Sequence, residues 1–383
     1  MNWTKVITVL LTVAAITACS PQAKVQTSDF EKQVEDYIRK FPYQDTHNYV
    51  LMYTQGDPAS FNTWVLGSEP TLVKAGDDKI VRTNNDTFYN MAFVILENGP
   101  VVLGSSAPSE GRFISFQLMD DRNVNYRNVI FPKGTYTLYH GEKPEEVQGE
   151  AIEVPSNLSV VIVRVEVKDK NNPEDLAAAT AVFKGITIDG PELEETPELD
   201  LLSGFDKAVE EEALLRMEET LRTVPFIETV VGPGKKPGTD VPYLYHAAGT
   251  KGGWGGPDPT HSTYESLFTD DAGETLNGAN GTYTITTEEP PVDAFWSITV
   301  YDTKRGGFLH PNKDDRYHIN NTGAVKNADG TVTFTFKQKC EEGDLNCLEV
   351  PAGPFDLVIR YYLPSEKIIS GEWTLPRPKL QGE

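Results

Sequence analysis

The sequence predicts a mainly β protein with a helical insert, and three features support this fold class. Gly and Pro are both abundant, with 31 and 26 among 383 residues, which favours turns between short strands. Short apolar runs separated by Gly, Pro or Asn fill residues 80–167 and recur from residue 276 onward. Between these regions, residues 173–225 follow the helical period. Two or three domains are expected, because single cores stop growing at roughly 250–300 residues.

The order of the elements follows from start signals, apolar periods and turns. Ser28-Asp29-Phe30-Glu31 is a capping box that opens a helix, and a second helix is expected over residues 45–54. The expected strands of the first β region are Phe88–Leu96, Val101–Leu103, Phe113–Met119, Thr135–Tyr139 and Val160–Val167. Those of the last are Tyr283–Thr287, Phe295–Tyr301, Tyr317–Ile319, Val332–Phe336 and Phe355–Tyr362. The predicted domains are residues 28–170, 171–240 (helical, with a linker) and 241–383.

The N-terminal residues predict an export signal. The apolar run Val6–Ile16 is too short to span a bilayer, which takes about 20 residues. Small residues precede Cys19 as in a lipobox, so residues 1–19 are interpreted as a lipoprotein signal peptide and residues 20–27 as a tether, with Cys19 lipidated. Ordinary secretion with a nearby cleavage is the alternative. Ser20 favours the outer membrane if the host is Gram-negative, which predicts a lipid-anchored protein of the cell envelope.

The charge of the chain excludes several kinds of partner. Asp and Glu number 57 and Lys and Arg 34, which gives a net charge of −23. Nucleic acid is not expected as a partner, because its binding depends on cations that neutralise phosphates. A basic patch for anionic lipid is equally unexpected. Membrane contact is therefore predicted only through the N-terminal lipid anchor.

Two regions resemble domains that occur together in a bacterial lipoprotein family. Residues 81–89 (VRTNNDTFY), with GPVVL at 99–103, resemble domain of unknown function 1254 (DUF1254). Residues 290–302 (PPVDAFWSITVYD), with NADG at 327–330 and GEW at 371–373, resemble DUF1214. The resemblance implies two β-sandwich domains of jelly-roll type with a central α-helical domain between them. It implies no agreed activity.

Two cysteines near the C-terminus are expected to form a disulfide. If Cys19 carries lipid, Cys340 and Cys347 remain as a pair in an oxidising compartment, with a polar turn between them. A metal site that uses both thiolates is the alternative, but no CxxC spacing lies nearby.

The densest group of candidate residues precedes the first predicted strand. Asp86 and Arg82 are candidate catalytic residues, since a carboxylate beside an arginine can act as a base or position a polar substrate. Asn84, Asn85 and Tyr89 are candidate ligand-binding residues. In the structural alternative, the Asn and Asp side chains hold a turn while Arg82 pairs with a buried carboxylate.

Four further candidates lie in the last β region. His318 is a candidate general acid or base near neutral pH, and Arg316 shares its strand face if the period is two. A lone histidine on a strand is more often inert. Trp296 and Tyr301 are candidate ligand-binding residues, although core packing explains sandwich aromatics more often.

The sequence assigns no metal ligand and no cofactor. The six histidines show no HExxH or HxH spacing. Calcium stays open near residues 270–271 or 341–344, where acidic residues cluster without the EF-hand spacing.

Two functions follow from these observations. In the first, a cell-envelope lipoprotein binds a small polar or carbohydrate-like ligand in a cleft between the β domains, and if it is an enzyme, a hydrolase is favoured. In the second, the protein is a non-catalytic envelope module for self-assembly or partner binding, which leaves a homo-oligomer open. The difference between them is whether Arg82, Asp86 and Tyr89 face solvent or pair in the interior.

Overall fold

A computed structural model of the chain describes residues 28–77, 82–106, 111–196 and 203–382. The predicted signal peptide, Cys19 and the tether lie outside these residues. The described residues form 17 strands in four sheets and five helices, which confirms a mainly β fold with a helical insert. No described helix combines the length and the apolar character needed to cross a membrane.

The elements alternate between β and helical regions along the chain. The helices are α1 (Asp29–Thr54), α2 (Pro173–Lys184), α3 (Lys207–Thr223), α4 (Tyr243–Gly253) and α5 (Glu366–Ile369). The first eight strands are β1 (Thr87–Ile95), β2 (Val101–Ser105), β3 (Ile114–Asp120), β4 (Asn125–Ile130), β5 (Gly134–Tyr139), β6 (Glu150–Glu153), β7 (Leu158–Glu166) and β8 (Ile186–Asp189). The others are β9 (Ser262–Leu267), β10 (Tyr283–Thr287), β11 (Trp296–Asp302), β12 (Phe308–Leu309), β13 (His318–Asn320), β14 (Val332–Lys337), β15 (Cys347–Glu349), β16 (Phe355–Tyr362) and β17 (Lys379–Leu380).

The first sandwich packs the sheet β1-β7-β3-β4 against the sheet β6-β5-β2-β8. Strand β7 is buried along its whole length and pairs antiparallel with β1 and β3, as its continuous apolar run predicts. Helix α2 adds Val182 and Phe183 to the same core, and β8 pairs with β2. Residues 173–189 thus pack with the first sandwich, although the predicted boundary at residue 170 places them in the helical domain.

The second sandwich packs the sheet β12-β11-β16-β9, with β13 beside β11, against the sheet β15-β14-β10-β17. Its core contains Trp296, whose ring lies edge-on to Phe334 at 5.6 Å between ring centroids. Cys340 and Cys347 form the predicted disulfide beside β15.

Helices α1, α3 and α4 pack together around a separate small apolar core. Helix α1 is continuous through Pro42, although the sequence predicts two shorter helices. A proline inside a helix costs about 3 kcal/mol. In α1 it belongs to a buried stripe at intervals of four residues: Val34, Ile38, Pro42, Thr46, Val50 and Thr54. Packing along the whole stripe offsets the local cost.

Candidate functional site

The segment 82–89 lies where the sheet β1-β7-β3-β4 of the first sandwich faces the sheet β12-β11-β16-β9 of the second. Just before β3, Phe113 contacts Phe295 and Tyr362, with ring centroids 5.8 and 5.2 Å apart. Around these rings the two sheets meet mainly through polar side chains. We call the contact between these two sheets, together with residues 82–89, the polar seam.

Asp86 is fully buried in the polar seam and bonded to the second sandwich. Its carboxylate accepts hydrogen bonds from Ser297 on β11 and from Tyr362 on β16, the latter at 3.2 Å. Asn84 holds the turn from within, because its side-chain oxygen accepts from the backbone nitrogens of Asp86 at 2.7 Å and Thr87 at 3.3 Å. Its amide donates to the Tyr362 hydroxyl. Asp86 is thus buried and hydrogen-bonded on both carboxylate oxygens within the described residues.

Arg82 clamps the same segment to the second sandwich. Its guanidinium binds the fully buried Asp356 through Nε at 3.1 Å and Nη2 at 3.0 Å, while a third of its side chain stays exposed. Its backbone nitrogen donates to Gly307 at 2.8 Å, and its carbonyl accepts from Arg360 at 2.7 Å. Arg82 has a left-handed φ of 50°, which is uncommon for a residue with a side chain, and these bonds hold it there.

His318 and Asn85 bond to each other across the polar seam. Nδ1 of His318 donates to the side-chain oxygen of Asn85 at 3.2 Å, and the amide of Asn85 donates to the carbonyl of Val73. Burial lowers the pKa of His318 to about 4, since a charged imidazole is poorly solvated there. The imidazole is therefore neutral at physiological pH and unsuited to proton donation.

Two tyrosines complete the group that the sequence predicted. The Tyr301 hydroxyl donates to the carbonyl of Thr83 at 2.6 Å and accepts from Arg360 at 2.8 Å. The Tyr89 hydroxyl accepts from Arg164 at 3.2 Å, and the guanidinium lies 5.2 Å from the centroid of the same ring. Both hydroxyls are committed to contacts inside the protein.

Two candidates lie apart from this group. Trp296 is in the core of the second sandwich, with 1% of its surface exposed. Arg316 is exposed on the loop before β13, since the strand begins only at His318. The structure therefore brings together seven of the nine predicted catalytic and ligand-binding residues in a joint between the sandwiches, in which Arg82, Tyr89 and His318 are partly exposed and Asp86 is buried.

An open cleft exists elsewhere, beside helix α1. It has a volume of ≈ 830 Å³ and lies between α1, the loops at one end of the first sandwich and residues 192–196. Five carboxylates line it: Glu97, Asp121, Glu192, Glu194 and Glu195. We call it the acidic cleft. No lysine or arginine is among its described lining residues, which also include Tyr43, Asn98 and Asn157.

The acidic edge of the cleft is fixed at both ends. Asn62 donates to the carbonyl of Pro191 at 2.8 Å, immediately before the acidic residues. Thr196 donates to the carbonyl of Gly56, just after α1, and Leu193 packs into the apolar cluster between α1 and β1. The backbone that carries these carboxylates is therefore held in place at both ends, whereas the side chains of Glu192, Glu194 and Glu195 are exposed to solvent.

The carboxylates of the cleft differ in their surroundings. Burial raises the pKa of Asp121, although the neighbouring Arg122 opposes this. Glu97, Glu192, Glu194 and Glu195 form no ion pair or hydrogen bond with any other residue of the described ranges. The described chain contains no group of three or more His, Cys, Asp or Glu placed to hold a metal ion.

Sequence reasoning did not identify the acidic cleft. The signal was present, because residues 192–200 read as an acidic connector that contains proline. The other walls of the cleft come from loops that are distant in sequence, and no local pattern places them beside that connector. The Asp270 and Asp344 regions, left open for calcium, bond to their own turns and to Lys337.

Comparison with protein families identifies the two β regions. Residues 65–190 match a model described as a protein of unknown function (DUF1254), and residues 261–366 match one described as a protein of unknown function (DUF1214). The chain therefore contains a DUF1254 region followed by a DUF1214 region. The DUF1254–DUF1214 assignment confirms the resemblance carried by residues 81–89 and 290–302.

Solved structures show how far the fold of this DUF1254–DUF1214 protein is shared. The chain is similar to the VPA0106 protein from Vibrio parahaemolyticus, with a TM-score of 0.75 and 19% identity over 93% of this chain and 100% of that one. It also matches an uncharacterized protein from Burkholderia cenocepacia, with a TM-score of 0.47 and 13% identity over 92% and 95% of the two chains. No curated protein matches the chain. The first likeness supports the fold and carries no function.

Proposed function

We propose that this protein is a cell-envelope lipoprotein that binds a small, positively charged, carbohydrate-like molecule in the acidic cleft, without catalysis. The observation that carries the proposal is a cleft of ≈ 830 Å³ with five carboxylates and no described basic residue in its lining. A volume of this size lies within the range of small-molecule sites. The proposed binding site is therefore beside α1, whereas the sequence predicted a site between the β domains.

The lining supplies the groups that an amino sugar would use. Carboxylates attract an ammonium group and accept hydrogen bonds from it. The amides of Asn98 and Asn157 can both donate to and accept from sugar hydroxyls. Tyr43, which belongs to α1, supplies a half-buried aromatic ring whose centroid lies 3.9 Å from that of His47. A protonated amino sugar therefore matches the lining better than a neutral sugar or an acid does.

Binding without chemistry is supported by the surroundings of the residues that could react. Asp86, the predicted base, is fully buried in the polar seam, and His318, the predicted acid or base, is half-buried there; both are bonded to other parts of the protein. These contacts support the interpretation of the protein as a non-catalytic protein of the cell envelope. Lipidation at Cys19 and attachment to the outer membrane are part of the proposal and follow from the sequence of residues 1–20.

The test compares glucosamine with N-acetylglucosamine by isothermal titration calorimetry, at a pH at which the glucosamine amine is protonated. We expect saturable binding of glucosamine. The acetylated, neutral sugar should bind at least tenfold more weakly, which corresponds to a difference of about 1.4 kcal/mol in binding free energy. Replacing Glu192, Glu194 and Glu195 together by Gln should weaken glucosamine binding by about tenfold or more.

A matched control separates a site from the effect of net charge. Glu142, Glu145 and Glu146 are exposed on the β5–β6 loop and do not line the cleft. Replacing all three by Gln changes the net charge of the protein by the same amount. This control should leave glucosamine binding unchanged. Equal weakening by both triple substitutions, or no binding of either sugar, would contradict the proposal.

A further inference from the structure

The floor of the acidic cleft is formed where three neighbouring strands of the first sandwich end or begin. In the sheet β1-β7-β3-β4, Ile95 at the end of β1 lies opposite Leu158 at the start of β7. On the other side of β7, Asp120 at the end of β3 lies opposite Ser159. The ends of β1 and β3 therefore flank the start of β7, and the residues next to all three strands line the cleft.

This strand order separates the two carboxylates of the floor. Glu97 follows β1, Asp121 follows β3, and Asn157 lies between them, just before β7. Adjacent strands are about 4.8 Å apart, so two spacings place the backbones that carry Glu97 and Asp121 roughly 10 Å apart. A single ammonium group reaches two carboxylates only when their oxygens lie within roughly 6 Å, since each hydrogen bond is about 3 Å long. The floor therefore offers two positions for a cation, one on either side of Asn157.

The acidic edge of residues 192–195 adds to the first of these positions. The side-chain amide of Asn62 donates both to the carbonyl of Ile95, at 3.1 Å, and to that of Pro191, at 2.8 Å. These two bonds attach the start of the acidic edge to the end of β1, which is the side of Glu97. Four of the five lining carboxylates thus belong to the β1 side of the cleft, and only Asp121 belongs to the β3 side.

Asp121 differs from the other four carboxylates in its surroundings. Its side chain is only 16% exposed, and burial raises its pKa. A carboxylate in such surroundings gains more from an added cation than an exposed one does. Its ion pair with Arg122 is long, at 3.6 Å, and the arginine side chain is 64% exposed, so this pair contributes little. Asp121 is therefore suited to receive a cation from a ligand.

The size of the cleft fits a ligand longer than one sugar ring. Its volume of ≈ 830 Å³ lies near the upper end of the roughly 300–1,000 Å³ range of small-molecule sites. One glucosamine carries one ammonium group and can pair with the carboxylates of one side only. The carboxylate of the other side would then stay without a cation from the ligand.

We propose that the ligand of the acidic cleft carries two ammonium groups, one bound by Asp121 and one by Glu97 with the acidic edge, as in two linked glucosamine units. This inference rests on the proposed function and narrows its ligand from an amino sugar to a short oligomer of amino sugars. Once the first ammonium group is bound, the second binds intramolecularly, at a high effective concentration. Asn157, between the two positions, can bond to the sugar hydroxyls there.

The test compares three sugars by isothermal titration calorimetry, at a pH at which their amines are protonated. They are glucosamine, chitobiose with both amines free, and chitobiose with one amine acetylated. Chitobiose should bind at least tenfold more tightly than glucosamine, whereas two independent amines would give only about twofold. The half-acetylated sugar has the same length and one ammonium group, and it should bind about as weakly as glucosamine.

A single substitution separates the two positions. Asp121→Asn should lower the affinity for chitobiose about tenfold or more and leave glucosamine binding nearly unchanged, because the β1 side keeps its four carboxylates. Asp329→Asn makes the same chemical change in an exposed hairpin turn and should alter neither affinity. If Asp121→Asn does not fold, the three sugars still test the proposal on the wild type.

The results also distinguish this inference from the proposed function. The inference is overturned, and the proposed function stands, if glucosamine binds in the cleft but chitobiose binds no more than about twofold more tightly. It is equally overturned if the half-acetylated sugar binds as tightly as chitobiose, or if Asp121→Asn weakens both sugars to the same extent. Absence of binding of glucosamine and chitobiose alike would overturn both.

Discussion

Asp86, in the segment before β1, accepts a hydrogen bond from the Tyr362 hydroxyl on β16 at 3.2 Å. This bond joins the two sandwiches at a point that is closed to solvent, since both residues are fully buried. The sequence of residues 82–89, which is rich in Asn, Asp and Arg, predicts a catalytic or ligand-binding site. In the structure it is a joint that fixes the DUF1254 and DUF1214 domains to each other.

Asp86→Asn should lower stability. The amide presents donors where Ser297 and Tyr362 also donate, and Arg360 loses its carboxylate. We expect a loss of roughly 2–4 kcal/mol in the free energy of unfolding, measured by urea denaturation. Asp329→Asn, in an exposed hairpin turn, should leave it nearly unchanged. An unchanged stability for Asp86→Asn would contradict the structural role.

The Arg82–Asp356 pair should show strong coupling in a double-mutant cycle. Arg82→Met leaves Asp356 buried without its cation and should cost about 2–3 kcal/mol, less than a fully buried pair because Arg82 is a third exposed. The double variant Arg82→Met/Asp356→Asn should recover part of that loss, because it leaves no unpaired buried charge at this position. Simple additivity would show that the two side chains act independently.

His318 should remain neutral well below its ordinary titration range. Its pKa in the fold is about 4, whereas an unfolded histidine titrates near 6.5. Between pH 6.5 and 4 the unfolded chain therefore binds a proton at His318 and the folded protein does not. The stability that the neutral ring contributes is lost as the pH falls from about 6.5 to 4. Chemical shifts of the His318 ring measured by NMR against pH should show this midpoint.

His246 provides a second test of the same principle, because burial lowers its pKa to about 4 as well. Assignment of each ring signal by His→Gln substitution keeps the two titrations distinct. A midpoint for His318 near 6.5 would show that its ring is open to water, which would reopen an acid or base role.

Reduction of the Cys340–Cys347 disulfide should lower stability by an amount at the low end of the usual range for a disulfide. The closed loop is short, with a sequence separation of 7, so the chain-entropy model gives about 2 kcal/mol. Urea denaturation with and without reductant measures this difference. The variant Cys340→Ala/Cys347→Ala should be insensitive to reductant, and a reductant effect that persists in it would have another cause.

Much of the fold could be predicted because local patterns and packing agree. The apolar run of β7 and the capping box at Ser28 specify elements that the structure contains, and Ser28 accepts from the backbone nitrogen of Glu31 at 3.2 Å. Pro42 shows where local rules fail. A buried stripe along α1 outweighs the cost of that proline, and the stripe depends on partners that are distant in sequence.

The candidate site was less predictable because its geometry is non-local. Residues 82–89 were identified as important, but whether Asp86 faces water depends on Ser297 and Tyr362, more than 200 positions away. Arg164 is a single charged residue within the apolar run of β7, and the sequence prediction did not consider it. The walls of the acidic cleft meet only through tertiary packing.

The location of a bound amino sugar tests the central claim most directly. Backbone amide chemical shifts can be followed by NMR as glucosamine is added to the isotopically labelled protein. The account predicts saturable changes at Asn98, Asn157 and residues 192–196, with the signals of residues 84–89 unaffected. Changes centred on Asp86 and Tyr362, with none beside α1, would place the ligand between the sandwiches and contradict it.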